Sequence, residues 1–193
     1  MSADNSRATG VLLADGTTLP ADVVVLNADL VHAYSALLPE SPAAAALQSR
    51  ASSCSSISLY WALSDTAPGL DTHNIFLADE YAESFDAIFK AHALPRRPSF
   101  YVNVPSRIDA SAAPPGRDAL VVLVPCGHLS PAAPDWAAAV ARVRAHVLAV
   151  IAARTGEDLR GRIVHEAVNT PPVWRDRFNL HQGAILGLSH NIM

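Results

Sequence analysis

Two short apolar runs, FYVNV at residues 100–104 and LVVLV at 120–124, are β-branched and aromatic and read as strands. Each is followed by a proline, Pro105 or Pro125, which cannot donate to a ladder and so marks a strand end. Pro114, Pro115 and Gly116 lie between the runs, so the chain turns there and returns as a neighbouring strand. In the first run period two puts Ser99, Tyr101 and Asn103 on one face and Phe100, Val102 and Val104 on the other, leaving open which set meets a ligand.

The same periodicities organise the rest of the chain. Residues 9–13, the Asp15-Gly16 turn and residues 17–19 predict a hairpin. The string ADVVVL at 21–26 is a continuous apolar run suited to a strand covered on both faces, and such a strand needs neighbours that nothing upstream supplies. Asp29 then caps a helix whose Leu30, Tyr34, Leu37 and Leu38 share a face before Pro39 ends it. Residues 41–50 are alanine-rich and helical, and the serine cluster 52–56 breaks that helix ahead of a strand at 57–63. A short strand at 73–77 precedes a helix with Tyr81, Phe85, Ile88 and Phe89 on one face. In the longest helix Trp136, Val140, Val143, Val147 and Ile151 form the buried stripe, Arg142, Arg144 and Arg154 lie off it, and Gly156 suits the C-cap. A strand at 163–168 and a short helix begun by Thr170, Pro171 and Pro172 complete the pattern. The fold class is therefore mixed α/β (α+β), with a largely antiparallel sheet of about four or five strands backed by helices, the long helix on one face.

Composition narrows the partners. Half of the 193 residues are hydrophobic and 17% are charged. Mean hydropathy is +0.20, which suits an apolar ligand or a peripheral membrane contact. The most apolar helix is interrupted by Arg142, Arg144 and His146, whereas a spanning helix needs roughly 20 mostly apolar residues, so no membrane span is predicted. A net charge of −4 without a basic cluster argues against nucleic acid. No basic segment with an apolar core opens the chain, so no secretory signal is read; with two cysteines outside any CxxC pair, an intracellular setting with reduced thiols is expected.

Candidate chemistry is sparse. Gly187, Ser189, His190 and Asn191 make a partial GxSxG that lacks the second glycine and the strand-to-helix elbow of a hydrolase. Eight histidines form no HxH or HExxH, so no metal site is read, and His128 at the end of its strand reads as structural.

Several strings in one order carry a resemblance. ATGVLLADG with ADVVVLNADL, SCSSISLYWAL, HNIFLADEY, the 98–129 segment and VNTPPVWRDRFNLHQGAILGLSHN together resemble the carotenoid desaturases of the phytoene desaturase type, FAD-dependent flavoproteins of the amine oxidase superfamily. The PSRID and NAD strings favour this group over amine oxidases and carotenoid isomerases. The resemblance implies an oxidoreductase of carotenoid biosynthesis that introduces C=C bonds into a C40 polyene at a membrane surface, with a homo-oligomer as a possible assembly. It divides the chain into part of an FAD-binding Rossmann-type domain at residues 1–50, a substrate-binding sheet with helices at 51–170, and a segment at 171–193 returning towards a C-terminal flavin motif. It implies flavin proximity for Asn27, Ala28 and Asp29, the last also explained as a helix cap. Tyr101, Asn103, Arg107 and Asp109 are implied to line a substrate channel, with a solvated loop ion pair as the other reading of Arg107 and Asp109. The GxGxxG turn that holds a dinucleotide pyrophosphate is absent. The chain therefore reads as an internal piece or truncated product with an incomplete cofactor site, alternatively a non-catalytic lipid- or partner-binding module.

Overall fold

The computed structural model describes residues 7–131 and 134–190, so the first six residues of the string read for a leader and Asn191 lie outside the described residues. The chain divides into two compact units, Met1–Arg50 and Ala51–Met193.

In the first unit β1 (Gly10–Leu12) and β2 (Thr18–Pro20) pair antiparallel. Their turn forms as the Asp-Gly pair dictates: Gly16 has φ of +87°, and the Asp15 carboxylate accepts from the Thr17 N–H at 2.9 Å. Residues 21–26 correct the expected strand. They join no sheet, and Val23 and Val25 are 78% and 86% exposed. Apolar content favours an extended run, but a strand exists only through the ladder bonds a neighbour supplies, and among the described residues the run joins its neighbour only at its start, where the Ala21 N–H donates to the Thr9 carbonyl at 3.1 Å. Asp29 caps as predicted, its Oδ1 accepting from the His32 N–H at 3.0 Å. The helix α1 (Leu30–His32) widens into one π-turn, Ala33–Leu37, closed by the Leu38 N–H on the Ala33 carbonyl. Helix α2 spans Pro42–Gln48.

The second unit is built on one five-stranded antiparallel sheet, in the order β4-β5-β6-β3-β7. Its strands are β3 (Ser55–Leu63), β4 (His73–Phe76), β5 (Phe100–Asn103), β6 (Ala119–Cys126) and β7 (Ile163–Asn169). The helices are α3 (Tyr81–Phe89), α4 (Trp136–Thr155) and α5 (Pro171–Phe178). The two runs that open the chain's pattern do pair, with Tyr101 opposite Leu123 and Asn103 opposite Val121.

Two boundaries differ from expectation. Strand β3 starts inside the serine cluster, because its buried hydroxyls find partners: Ser55 Oγ donates to the Gly183 carbonyl at 2.5 Å, and the Ser56 and Ser58 hydroxyls lie 3.0 Å apart. Strand β6 runs through Pro125 to Cys126. Pro125 stands opposite Ser56, while pairing with β5 ends at Leu123. Its missing N–H points away from β3, into the part of the edge that β5 does not reach, so no ladder bond is lost.

Alternate residues make the core. Ile57, Leu59, Trp61 and Leu63 of β3, Phe100 and Val102 of β5, and Leu120, Val122 and Val124 of β6 are buried together with Val143, Val147, Leu148 and Ile151 of α4. Trp136 and Val140 of the predicted stripe pack half-buried on its margin. The helix is capped at both ends as read, by the Asp135 carboxylate on Ala137 N–H at 2.9 Å and by Gly156 with φ of +77°. By length and mean hydropathy α4 does meet the measure of a membrane-crossing helix, which corrects the reading that its charges exclude this. Its apolar stripe is instead spent on the sheet, as in any core helix. Off the stripe, Arg144 donates to Glu166 Oε2 at 3.0 Å, and the same oxygen accepts from Trp61 Nε1.

Candidate functional site

Because Phe100, Val102 and Val104 are 3%, 0% and 0% exposed, the face left open by period two is the one bearing Tyr101 and Asn103. The register extends that face across the sheet. One row runs Ile75, Tyr101, Leu123, Ser58 and Asn169; the next runs His73, Asn103, Val121, Tyr60 and Ala167. Ile75 is 71% exposed at the β4 edge. At the β3 end α5 covers the face, where Trp174 Nε1 donates to the Ser56 carbonyl at 3.0 Å. Between these limits lies a shallow apolar surface of Ile75, Leu123, Val121 and two tyrosines.

Three of its polar side chains are engaged at the β4–β5 edge. His73 Nδ1 and the Tyr101 hydroxyl are 2.6 Å apart, and Asn103 Nδ2 donates to the Thr72 carbonyl at 2.8 Å. Sequence reasoning names Tyr101 and Asn103 but misses His73, whose only signal is its place two residues before Ile75 on a short strand. Apart from the His73–Tyr101 contact, no hydroxyl–imidazole hydrogen bond stands on this face, and among the described residues no group of three or more His, Cys, Asp or Glu is placed to hold a metal ion. Cys54 and Cys126 are free thiols; burial, then the neighbouring Cys54, pushes the Cys126 thiol up to about 12, so it stays protonated. The arrangement can bind and orient an apolar molecule.

Arg107 and Asp109 are not brought to this face, nor to each other. Arg107 closes a two-pronged pair on Asp118, Nη1 to Oδ1 at 2.7 Å and Nη2 to Oδ2 at 2.8 Å, and also donates to the Leu70 and Ala67 carbonyls. This corrects the solvated-pair reading: the partner is a carboxylate 2% exposed, on a different residue. Burial alone would raise the Asp118 carboxyl; hydrogen bonds from Arg107, the Ala67 N–H and Ser106 outweigh it and hold the group below the usual carboxylate range. Asp109 caps a short turn of 3-10 helix, Ala110–Ala112, accepting from Ser111 N–H at 2.9 Å and its hydroxyl at 2.6 Å. Those bonds lower the Asp109 carboxyl too.

Asn27, Ala28 and Asp29 follow the unpaired run 21–26 in the other unit. The Asp29 carboxylate is engaged on the His32 N–H.

No family model matches the chain. Curated relatives do. A phytoene desaturase of Neurospora crassa is 56% identical over 193 residues, covering 96% of this chain and 32% of the relative. A phytoene desaturase of Fusarium fujikuroi is 52% identical over 206 residues, covering 97% and 36%. A zeta-carotene-forming phytoene desaturase of Myxococcus xanthus is 41% identical over 192 residues, covering 97% and 36%. The chain thus spans about a third of the length of these relatives. Identity of 41–56% over 96–97% of the chain means that it belongs, as a piece of about a third of their length, to the phytoene desaturase family.

Proposed function

We propose that this chain supplies the substrate-facing sheet of an FAD-dependent phytoene desaturase, an oxidoreductase acting on CH–CH groups to introduce C=C bonds into a long polyene. The observation that carries the reading is the open face of the five-stranded sheet, where Ile75, Tyr101, Leu123, Val121 and Tyr60 stand in register and the His73, Tyr101 and Asn103 side chains are already hydrogen-bonded. A hydrocarbon without polar groups needs such a surface, since burial at roughly 25 cal/mol per Å² is its main source of binding energy. Tyr101 and Asn103 are the substrate-facing residues. Arg107 and Asp109 shape the 105–118 loop beside them. Asn27, Ala28 and Asp29 lie on the flavin side, as part of a Rossmann-type domain. When bound, FAD would supply the oxidising chemistry, and the protein's part is to hold the chain dry and oriented.

A polyene of this kind resides in membranes, and a peripheral contact fits the surface of α3. Tyr81, Phe85 and Phe89 are 56%, 45% and 49% exposed and stack along the helix with centroids 4.8 and 5.4 Å apart, the amphipathic arrangement that suits a lipid interface.

The test is retention of detergent-dispersed phytoene and of FAD by the purified chain, separately. Polyene retention that falls at least tenfold in Leu123→Asp, while Tyr101→Phe keeps both binding and thermal stability, is the expected result. Equal retention by wild type and Leu123→Asp would overturn the sheet assignment. Polyene retention without flavin retention favours the second reading, a lipid-binding module of the same family.

A further inference from the structure

Three segments of the second unit meet at the end of β6: the loop after α3, the β6 exit, and the turn His181–Gly183. The Gly127 N–H donates to the Ala93 carbonyl at 3.0 Å, and the Leu129 N–H donates to the Gln182 carbonyl at 2.8 Å. His92 and Gln182 both take left-handed backbone, with φ of +49° and +54°. The contact is close enough that a Cβ on Gly127 would fall 2.1 Å from the His92 carbonyl carbon. Strained backbone of this kind persists only where the surroundings hold it.

Leu94 packs on the core from this loop, and beside it a pair of imidazoles meets the end of β6. The His92 and His128 rings stack with centroids 4.2 Å apart and an interplanar angle of 37°. His128 Nδ1 lies 3.0 Å from the Leu129 carbonyl and so carries its proton there, while His92 Nδ1 is buried with no partner. We propose that His92 and His128 form a proton-operated latch, which keeps the loop after α3 on the end of β6 while both rings share no more than one charge and releases it when both are charged.

The physical reason is twofold. Two imidazolium rings at this distance repel, and a protonated His92 Nδ1 becomes a buried donor with no acceptor, satisfied only by moving to water. The groups around the pair offer no compensation. From β6 the facing charge is His128; the turn contributes His181, whose Nε2 is also buried without a partner. The loop's own cations are Lys90, paired with Asp86, Arg97, paired with Glu80, and Arg96. Among the described residues no carboxylate forms an ion pair with His92 or His128. Burial first, and His128 second, push the His92 imidazole below its ordinary value. A group lowered in the closed state and free in the open one favours closure above about pH 6.5, and the closed form weakens as pH falls towards the lowered value, by about tenfold per pH unit in that window.

Amide exchange at Gly127, corrected for the intrinsic pH dependence of the chemistry, reads the latch in the intact chain, and NMR titration of His92 reads the proton. From about pH 7.5 to about pH 5, on either side of the ordinary imidazole value, Gly127 is expected to lose protection while Leu129, bonded to Gln182, keeps its own. His92→Asn, which tolerates left-handed backbone and carries no charge, keeps Gly127 protected throughout. A His92 that titrates at its ordinary value or above, unchanged protection of Gly127, or loss of Gly127 and Leu129 protection together would each overturn the latch. If the variant does not fold, the two wild-type measurements decide.

Discussion

Arg107 and Asp118, eleven residues apart, are joined by two parallel hydrogen bonds of 2.7 and 2.8 Å that close the loop between β5 and β6. The Asp118 side chain is 1% exposed and that of Arg107 25%, so the pair is shielded rather than solvated. Asp118→Asn leaves a cation facing a neutral amide and is expected to cost about 3 kcal/mol, read from chemical denaturation. Arg107→Lys keeps the charge but loses the fork and the carbonyl contacts, and lowers stability by a smaller amount. Since the Asp118 carboxyl is lowered in the folded chain, its contribution is complete above the unfolded carboxylate value of about 3.9 and is lost as pH falls through the lower folded value. Wild type and Asp118→Asn should therefore converge in stability only in acid below about pH 4; a gap that stays constant throughout that acid range would contradict the pair's role.

The run at 21–26 exposes valine side chains with no ladder partner, Val23 at 78% and Val25 at 86%. Unpaired apolar backbone is a template for association between copies. Replacing both, Val23→Lys with Val25→Lys, is expected to raise the monomer fraction in light scattering while the melting temperature of the second unit stays within error. A fall in that temperature would show that the valines are needed where they are.

Gly183 combines a positive φ of +67° with a tight contact, since a Cβ there would lie 2.3 Å from the Pro171 carbonyl oxygen. It also presents the carbonyl that accepts from Ser55 Oγ. Gly183→Ala must strain its own backbone and push α5 away, at a cost above the roughly 1 kcal/mol of an ordinary glycine replacement. Gly116→Ala, at a similar φ of +73° but with open space around it, is the control. Thermal unfolding should separate the two, and equal losses would remove the packing argument.

Much of the architecture follows from short-range rules. An Asp-Gly pair makes a turn wherever strands flank it, Asp29 and Asp135 cap because a carboxylate one residue ahead of a helix meets free N–H groups, and Gly156 ends α4 because it accepts a left-handed backbone. The candidate site was legible as a pair of alternating sets in FYVNV, but not as a face. Burial of Phe100 and Val102 against α4 picks Tyr101 and Asn103 for the open side, and that choice depends on a helix more than thirty residues further on.

The strings of residues from Ala8 onwards carried the resemblance to the family, and the mixed α/β class and most element positions followed because turn chemistry, capping and periodicity act within a few residues. Pairing did the rest. Whether ADVVVL becomes a strand, whether Pro125 ends one, and which carboxylate Arg107 finds are settled by neighbours distant in the chain. Ladder bonds and buried ion pairs take their energy from the partner, so the same local pattern leaves Val25 in solvent and Val124 in the core.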